Sequence, residues 1–312
     1  MLEHLQILVV LLPVFFLIML GFILGQSGFP GKAFWEPAEK LTYYLLLPAL
    51  LVQKIAAPNP DSNSLEALTL MAAMLASLLV LTVLLLVLRP LFFTHGPSFT
   101  SVYQGTIRFN SYIGISIVLF LFGEQGVLTA AILLAFLIPL VNVISITILI
   151  RFGRNHIGDS TKRRAIFRAV LTNPVVIACL LGLLLQHGEV PIPLPVDNLL
   201  EIMGRAALPL GLLAVGAALE PAVLRLNSLL IVTVTTFKLL LYPLLAWSFC
   251  LLFAVPSLPA KVAVIFAALP GSALSTILAR QLGGDTPLIS GITTAQTLAA
   301  ALTLPLILYL IL

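Results

Sequence analysis

Charge is what this 312-residue sequence has least of: Asp, Glu, Lys and Arg together supply 9% of it. A water-soluble domain carries about 25%. With 60% hydrophobic residues and a mean hydropathy of +1.15, the composition excludes a soluble globular protein and leaves an integral membrane protein. Cysteine is nearly absent too. Cys179 and Cys250 both fall inside apolar runs, where they read as small core residues rather than a disulfide or a metal pair. His4, His95, His156 and His187 lie in loops or at the ends of runs, and the chain holds no HExxH and no phosphate-binding loop. No serine has an evident base partner for nucleophilic chemistry. Neither an enzyme nor a cofactor is therefore expected. Acidic residues are missing from the middle of the apolar runs, since Glu124, Glu201, Glu220 and Asp285 all sit at boundaries. That argues against a cation exchanger built on paired aspartates.

What is present is hydrophobic length. A helix needs about 20 residues to cross a bilayer core, and ten runs meet that test. They lie near 5–26, 37–57, 65–88, 98–122, 126–151, 167–187, 198–219, 227–254, 259–282 and 286–312. Turn signals separate them: GQSGFPGK, APNPDSNS, RPLFFTHGPS, HGEVPIPLPVD and QLGGDTP. The first run has no basic flank before it and no convincing cleavage site, so it reads as a retained span. The net charge of +4 comes from Lys and Arg in short loops, which is an orientation signal rather than a nucleic-acid face.

The chain also repeats itself. A shift of 161 residues superimposes Pro13, Val14, Leu20, Gly21 and Leu24 on Pro174, Val175, Leu181, Gly182 and Leu185. The same shift takes Leu47, Pro48 and Leu51 to Leu208, Pro209 and Leu212, and Gly123 to Gly284. Pro139 and Pro305 match at an offset of 166. Residues 1–152 thus form a first five-helix repeat, 153–165 a basic cytoplasmic linker and 166–312 a second repeat. Five is odd, so the second half enters the membrane from the opposite side, an arrangement that recurs in secondary transporters. Lys32, Lys40, Arg89, Arg151, Arg154, Lys162, Arg163, Arg164, Arg168, Arg225 and Arg280 lie after odd-numbered spans, against Lys54, Arg205 and Lys261 on the other face. The positive-inside rule then puts both termini outside. The run RFGRNHIGDSTKRRAIFR also suits anionic lipid.

Five segments in order carry a family resemblance: LLLPALLVQKIA, RFNSYIGISIVLFLFGEQG, TNPVVIACLLGLLL, ALPLGLLAVGAAL, and ALPGSALSTILARQLGGD leading to TLAAALTLPL. The sequence resembles the auxin efflux carrier family, which includes plant PIN-type carriers and bacterial transporters of small organic acids. The resemblance implies an all-α membrane protein of ten transmembrane helices in two inverted five-helix repeats, of the bile acid symporter and NhaA-like kind. It implies a scaffold domain of helices 1, 2, 6 and 7, and a transport domain of helices 3–5 and 8–10. Helices 4 and 9 are expected to break and cross where substrate binds, and a homodimer is expected to form through helices 2 and 7. The implied setting is a bacterial cytoplasmic (inner) membrane, with membrane lipid and a small organic anion as partners and no nucleic acid. The chain departs from the family pattern at Ser116 and Ser275, which stand where crossover prolines are common. The span 4 asparagine is also displaced by one position.

Interrupted helices at membrane depth need small and polar residues and a cavity or protein around them. Asn110, Ser111, Gly114 and Ser116 offer these in span 4, and Pro270, Gly271, Ser272 and Ser275 offer them in span 9. Broken ends present N–H groups and partial positive charge to an anion. The alternative is that these glycines and serines only permit close helix packing. Arg108 lies ~15 Å along its helix. It either holds a carboxylate with two parallel hydrogen bonds or snorkels and ties carbonyl oxygens at the break. Lys238, ~20 Å into span 8, either neutralises a bound anion or tethers spans 8 and 9. Asn142, Asn173 and Gln296 are candidates to coordinate Na⁺ or to bond between helices. The residues expected at the substrate site are accordingly Arg108, Asn110, Ser111, Gly114, Ser116, Lys238, Pro270, Gly271, Ser272 and Ser275. The expected function is secondary transport of a small organic anion, a mono- or dicarboxylate such as malonate or malate, by an elevator-type motion. A sodium-coupled bile-acid-like symporter and a transport-incompetent sensor or channel are the alternatives.

Overall fold

The computed structural model describes residues 2–57, 64–92, 95–154, 172–225 and 227–312. The protein is all-helical, with no strand among the described residues. In chain order the α-helices are α1 (Leu2–Ser27), α2 (Lys32–Leu41), α3 (Leu47–Ile55), α4 (Ser64–Phe92), α5 (Gly96–Ile107), α6 (Ser111–Phe152) and α7 (Pro174–His187). They continue as α8 (Leu194–Ala217), α9 (Ser228–Thr236), α10 (Tyr242–Leu252), α11 (Ser257–Ala268), α12 (Leu274–Leu282) and α13 (Thr286–Ile311). Wide π-turns at Thr42–Leu46 and Phe237–Leu241 join α2 to α3 and α9 to α10. A short 3₁₀ segment spans Pro221–Arg225. Most of the basic linker expected at 153–165, with Lys162, Arg163, Arg164 and Arg168, lies outside the described residues.

Among the described residues, five helical stretches are long and apolar enough to cross a membrane: Leu65–Pro90, Gly96–Phe152, Leu194–Ala217, Ser228–Leu252 and Thr286–Ile311. Leu11–Ser27, Pro174–His187 and Ser257–Ala268 are shorter apolar helices. Apolar side chains stand exposed along them, as Val83, Leu184 and Leu302 do. Leucine-rich helices that are apolar all round are stable in this form only with hydrocarbon as the solvent.

Local chemistry sets where the helices begin and bend. Asn173 caps α7 by accepting hydrogen bonds from the amides of Val175 (3.0 Å) and Val176 (3.3 Å), with Pro174 in the first turn. Asp285 caps α13 by accepting from Leu288 N–H at 3.2 Å. Its other carboxylate oxygen accepts from Ser98 Oγ at 2.9 Å, which fastens α13 to the start of α5. Within α6 the chain kinks sharply at Gly123, whose φ of 59° and ψ of −145° suit glycine alone.

The chain divides into two compact units. The first holds Met1–Ala67, Tyr112–Pro139 and Leu171–Ala218; the second holds Leu68–Ser111, Leu140–Val170 and Leu219–Leu312. In the first unit α1 and α8 approach so closely that glycine is required. A Cβ on Gly216 would lie 1.8 Å from the Ile18 carbonyl oxygen, and one on Gly21 would lie 2.1 Å from that of Leu213. The partner pair α3 and α7 repeats the device, with Gly182 against the Ile55 side chain. The ring of Tyr112 rests on Gly211 of α8, and Lys54 pairs with Glu124 at 2.8 Å, which accounts for the inclusion of Tyr112–Pro139 in this unit. Cys179 and Cys250 are buried free thiols.

Because backbone rather than a flexible side chain meets the added carbon, Gly216→Val is expected to destabilise the protein by about 1–3 kcal/mol. Leu184→Ala, at a position 71% exposed, should leave the melting temperature nearly unchanged. Thermal unfolding of both variants in the same detergent checks the contrast.

Candidate functional site

Both breaks expected from the sequence are present, and the second unit contains them. Between α5 and α6, residues Arg108, Phe109 and Asn110 leave the helix, with Arg108 extended at φ −79°, ψ 153°. Between α11 and α12 the chain leaves the helix at Leu269 (φ −66°, ψ 146°) and runs on through Pro270, Gly271 and Ser272. The Asn110 amide donates to the Pro270 carbonyl at 2.9 Å, so the two interruptions meet. Phe109 and Phe266 stack edge to face beside them, with ring centres 5.6 Å apart.

The first break begins earlier than the small residues suggest. Gly114 and Ser116 lie within α6, in the part that belongs to the first unit, and the Ser116 hydroxyl donates back to the Tyr112 carbonyl at 2.7 Å. A serine that bonds one turn back is accommodated inside a helix. Ser111 is the first residue of α6. In the second break Ser272 Oγ accepts from Leu274 N–H at 3.3 Å, whereas Ser275 is already helical, buried and without a hydrogen-bond partner on its hydroxyl.

Arg108 is 9% exposed and donates from Nη1 to Asn142 Oδ1 at 2.8 Å, which ties the first break to the second half of α6. Lys238 sits in the π-turn between α9 and α10, fully buried. Its Nζ lies 4.7 Å from the centre of the Tyr242 ring and has no hydrogen-bond partner. Burying an ammonium without an acceptor is costly unless something else balances the charge. The aromatic face supplies part of that balance. No Asp or Glu is buried among the described residues.

Gln296 of α13 carries more of the site than its sequence context signals. Its Oε1 accepts from Gly271 N–H at 2.8 Å, and its Nε2 donates to the Gly105 carbonyl at 2.9 Å. The three residues weighed as Na⁺ ligands or as interhelical hydrogen bonds each make a hydrogen bond through the side-chain oxygen: Gln296 with Gly271, Asn142 with the Arg108 guanidinium, and Asn173 with the first turn of α7. Among the described residues no three His, Cys, Asp or Glu side chains gather into a metal-binding group. Two cavities lie wholly within the first unit. One, of about 290 Å³, is lined by Lys54, Ser116, Glu201, Arg205 and the prolines 13 and 209; the other, of about 780 Å³, is lined by Gln53, Gln186, Glu189 and Asp197.

The family model described as membrane transport protein matches residues 6–308, nearly the whole chain. The chain belongs to the auxin efflux carrier family. A protein of Methanothermobacter thermautotrophicus, itself described as an uncharacterized transporter, is 23% identical over 295 residues and is covered, like this chain, over 95% of its length. Membership in this family makes the protein a multi-pass membrane transporter.

Removing the Asn142 acceptor takes a charge-assisted hydrogen bond from a buried guanidinium, so Asn142→Leu should cost about 1–3 kcal/mol. Arg108→Met combined with Asn142→Leu should recover part of the loss, since the double variant buries no charge there. Melting temperatures of the two single variants and the double variant give the coupling.

Proposed function

We propose that this protein is a secondary transporter that carries a small organic anion, of the mono- or dicarboxylate class, across the cytoplasmic membrane. The observation that carries the reading is the meeting of two chain breaks beside Arg108 in a chain whose described buried residues include no carboxylate. A helix that starts inside the membrane presents partial positive charge at its N-terminus, and α6 and α12 both start at the breaks. Arg108, whose guanidinium stays protonated, adds a full charge. With Asn110 N–H committed to Pro270 and Gly271 N–H to Gln296, the anion is held by the side chains of the crossover and by the helix fields rather than by those two amides. Arg108 therefore attracts the anion while Asn142 orients its guanidinium.

The proposed architecture is ten spans in two inverted repeats, with an elevator-type motion of helices 3–5 and 8–10 against a scaffold of helices 1, 2, 6 and 7. It is supported by the 161-residue offset. The division of the chain agrees with it in part: both breaks fall in one unit while α1, α3, α7 and α8 fall in the other, but Tyr112–Pro139, drawn from the expected helices 4 and 5, falls with the latter. A homodimer through helices 2 and 7, and termini on the outer side, belong to the same proposal. Sodium coupling is the alternative carrier reading, which the sodium-gradient arm of the uptake measurement separates. A sensor or channel remains the competing class.

Uptake of radiolabelled malonate and malate into proteoliposomes, with and without a sodium gradient and a membrane potential, tests the function. Binding tests the site. Losing one charge-assisted hydrogen bond weakens affinity about tenfold to a hundredfold, so Arg108→Gln should raise the anion Kd by that factor in folded protein. Arg108→Lys should recover only part of it, because an ammonium cannot form the bidentate pair. A lowered melting temperature with an unchanged Kd would make Arg108 a structural anchor and sink the assignment.

A further inference from the structure

The carboxamide of Gln296 is fully buried and answers two backbone groups that the breaks create. In an uninterrupted helix the Gly105 carbonyl would accept from the amide four residues on, but α5 ends at Ile107. In the same way the Gly271 amide would donate to the carbonyl four residues back, but α11 ends at Ala268. Gln296 supplies the missing donor to the first and the missing acceptor to the second, at 2.9 and 2.8 Å. The two bonds also fix which end of the amide is oxygen, because only an oxygen can accept from Gly271 and only a nitrogen can donate to Gly105.

Glycine at both contacts makes this reach possible. A Cβ on Gly271 would stand 2.9 Å from Gln296 Oε1, and one on Gly105 would stand 2.6 Å from the Ile292 methyl, one turn before Gln296 on α13. Together with the bond from Asn110 N–H to the Pro270 carbonyl, the amide closes a loop of contacts through residues 105, 110, 270, 271 and 296.

We propose that Gln296 is a positioning residue, a two-ended latch that holds both chain breaks in one geometry. The proposal rests on the reading of the crossover as the anion site. Gln296 acts on the ligand only through the backbone it fixes. The two half-sites consequently form and loosen together: freeing either end of the amide releases both.

Hydrogen exchange read by mass spectrometry tests this without any ligand. Gln296→Met keeps the length and loses both polar ends. It should raise exchange in peptides covering 105–113 and 268–276 together, while peptides from α1 exchange as in the unaltered protein. Gln296→Glu separates the ends. An ionised carboxylate can accept from Gly271 but faces the Gly105 carbonyl without a proton to donate, whereas the protonated acid restores both bonds. After correction for intrinsic exchange rates, protection of both peptides in Gln296→Glu should therefore return on acidification, with no such pH profile in the unaltered protein. Faster exchange in 268–276 alone would reduce Gln296 to a one-sided contact, and unchanged exchange in both peptides of Gln296→Met would remove the latch altogether. If both peptides loosen but the unaltered protein binds neither malonate nor malate, the latch stands and the anion reading falls.

Discussion

The hydrogen bond from the Asn110 amide to the Pro270 carbonyl joins two places where a helix stops inside an apolar run. Hydrocarbon offers no partner to a freed amide or carbonyl, and each one left unmade costs several kcal/mol. A helix within an apolar run can be interrupted only if the interruptions satisfy one another or borrow a side chain. Here they do both. Much of the second unit follows from that constraint: Gly271 and Gly105 are small because the amide of Gln296 and its helix must come close. Arg108, one residue past the end of α5, is held by Asn142.

The first unit meets the same solvent by different means. Its helices need no polar clasp, because α1 against α8 and α3 against α7 come together where glycine allows backbone to touch backbone or a branched side chain. In a bilayer, where apolar burial alone drives little association, close approach of this kind is the main source of helix affinity. Asn173 caps α7, and Lys54 near the end of α3 pairs with Glu124 beside the kink of α6.

Much of this was legible in the sequence, because the signals are local. Apolar length marked the helices, Pro270 and Gly271 marked the second break, and Arg108 and Asn110 marked the neighbourhood of the first. The exact position of the first break was not legible. Gly114 and Ser116 have the composition of a break, yet Ser116 bonds back to Tyr112 within α6, and the chain opens instead at Arg108–Asn110, where Pro270 waits to receive an amide. A partner 160 residues away decides the matter, and nothing local announces it. Gln296 was ambiguous for the same reason. An amide in an apolar run can ligate an ion, bond to a helix or bridge two, and only the three-dimensional neighbours distinguish these. Lys238 could be seen as deep, but its aromatic cover could not be separated from ordinary helix packing by the spacing Lys238–Tyr242 alone.

The π-turn at Phe237–Leu241 sets which side chains of this segment face outward. Such a turn holds one residue more than an α-helical turn, so it rotates everything beyond it by about 100° relative to what precedes it. The rotation changes which residues face outward on α10 as compared with α9, and Lys238 and Leu239, within the turn itself, are buried. A lysine is seated at the turn itself, out of reach of its surroundings, and the surplus residue stays visible as a widened coil in the middle of an otherwise regular rod.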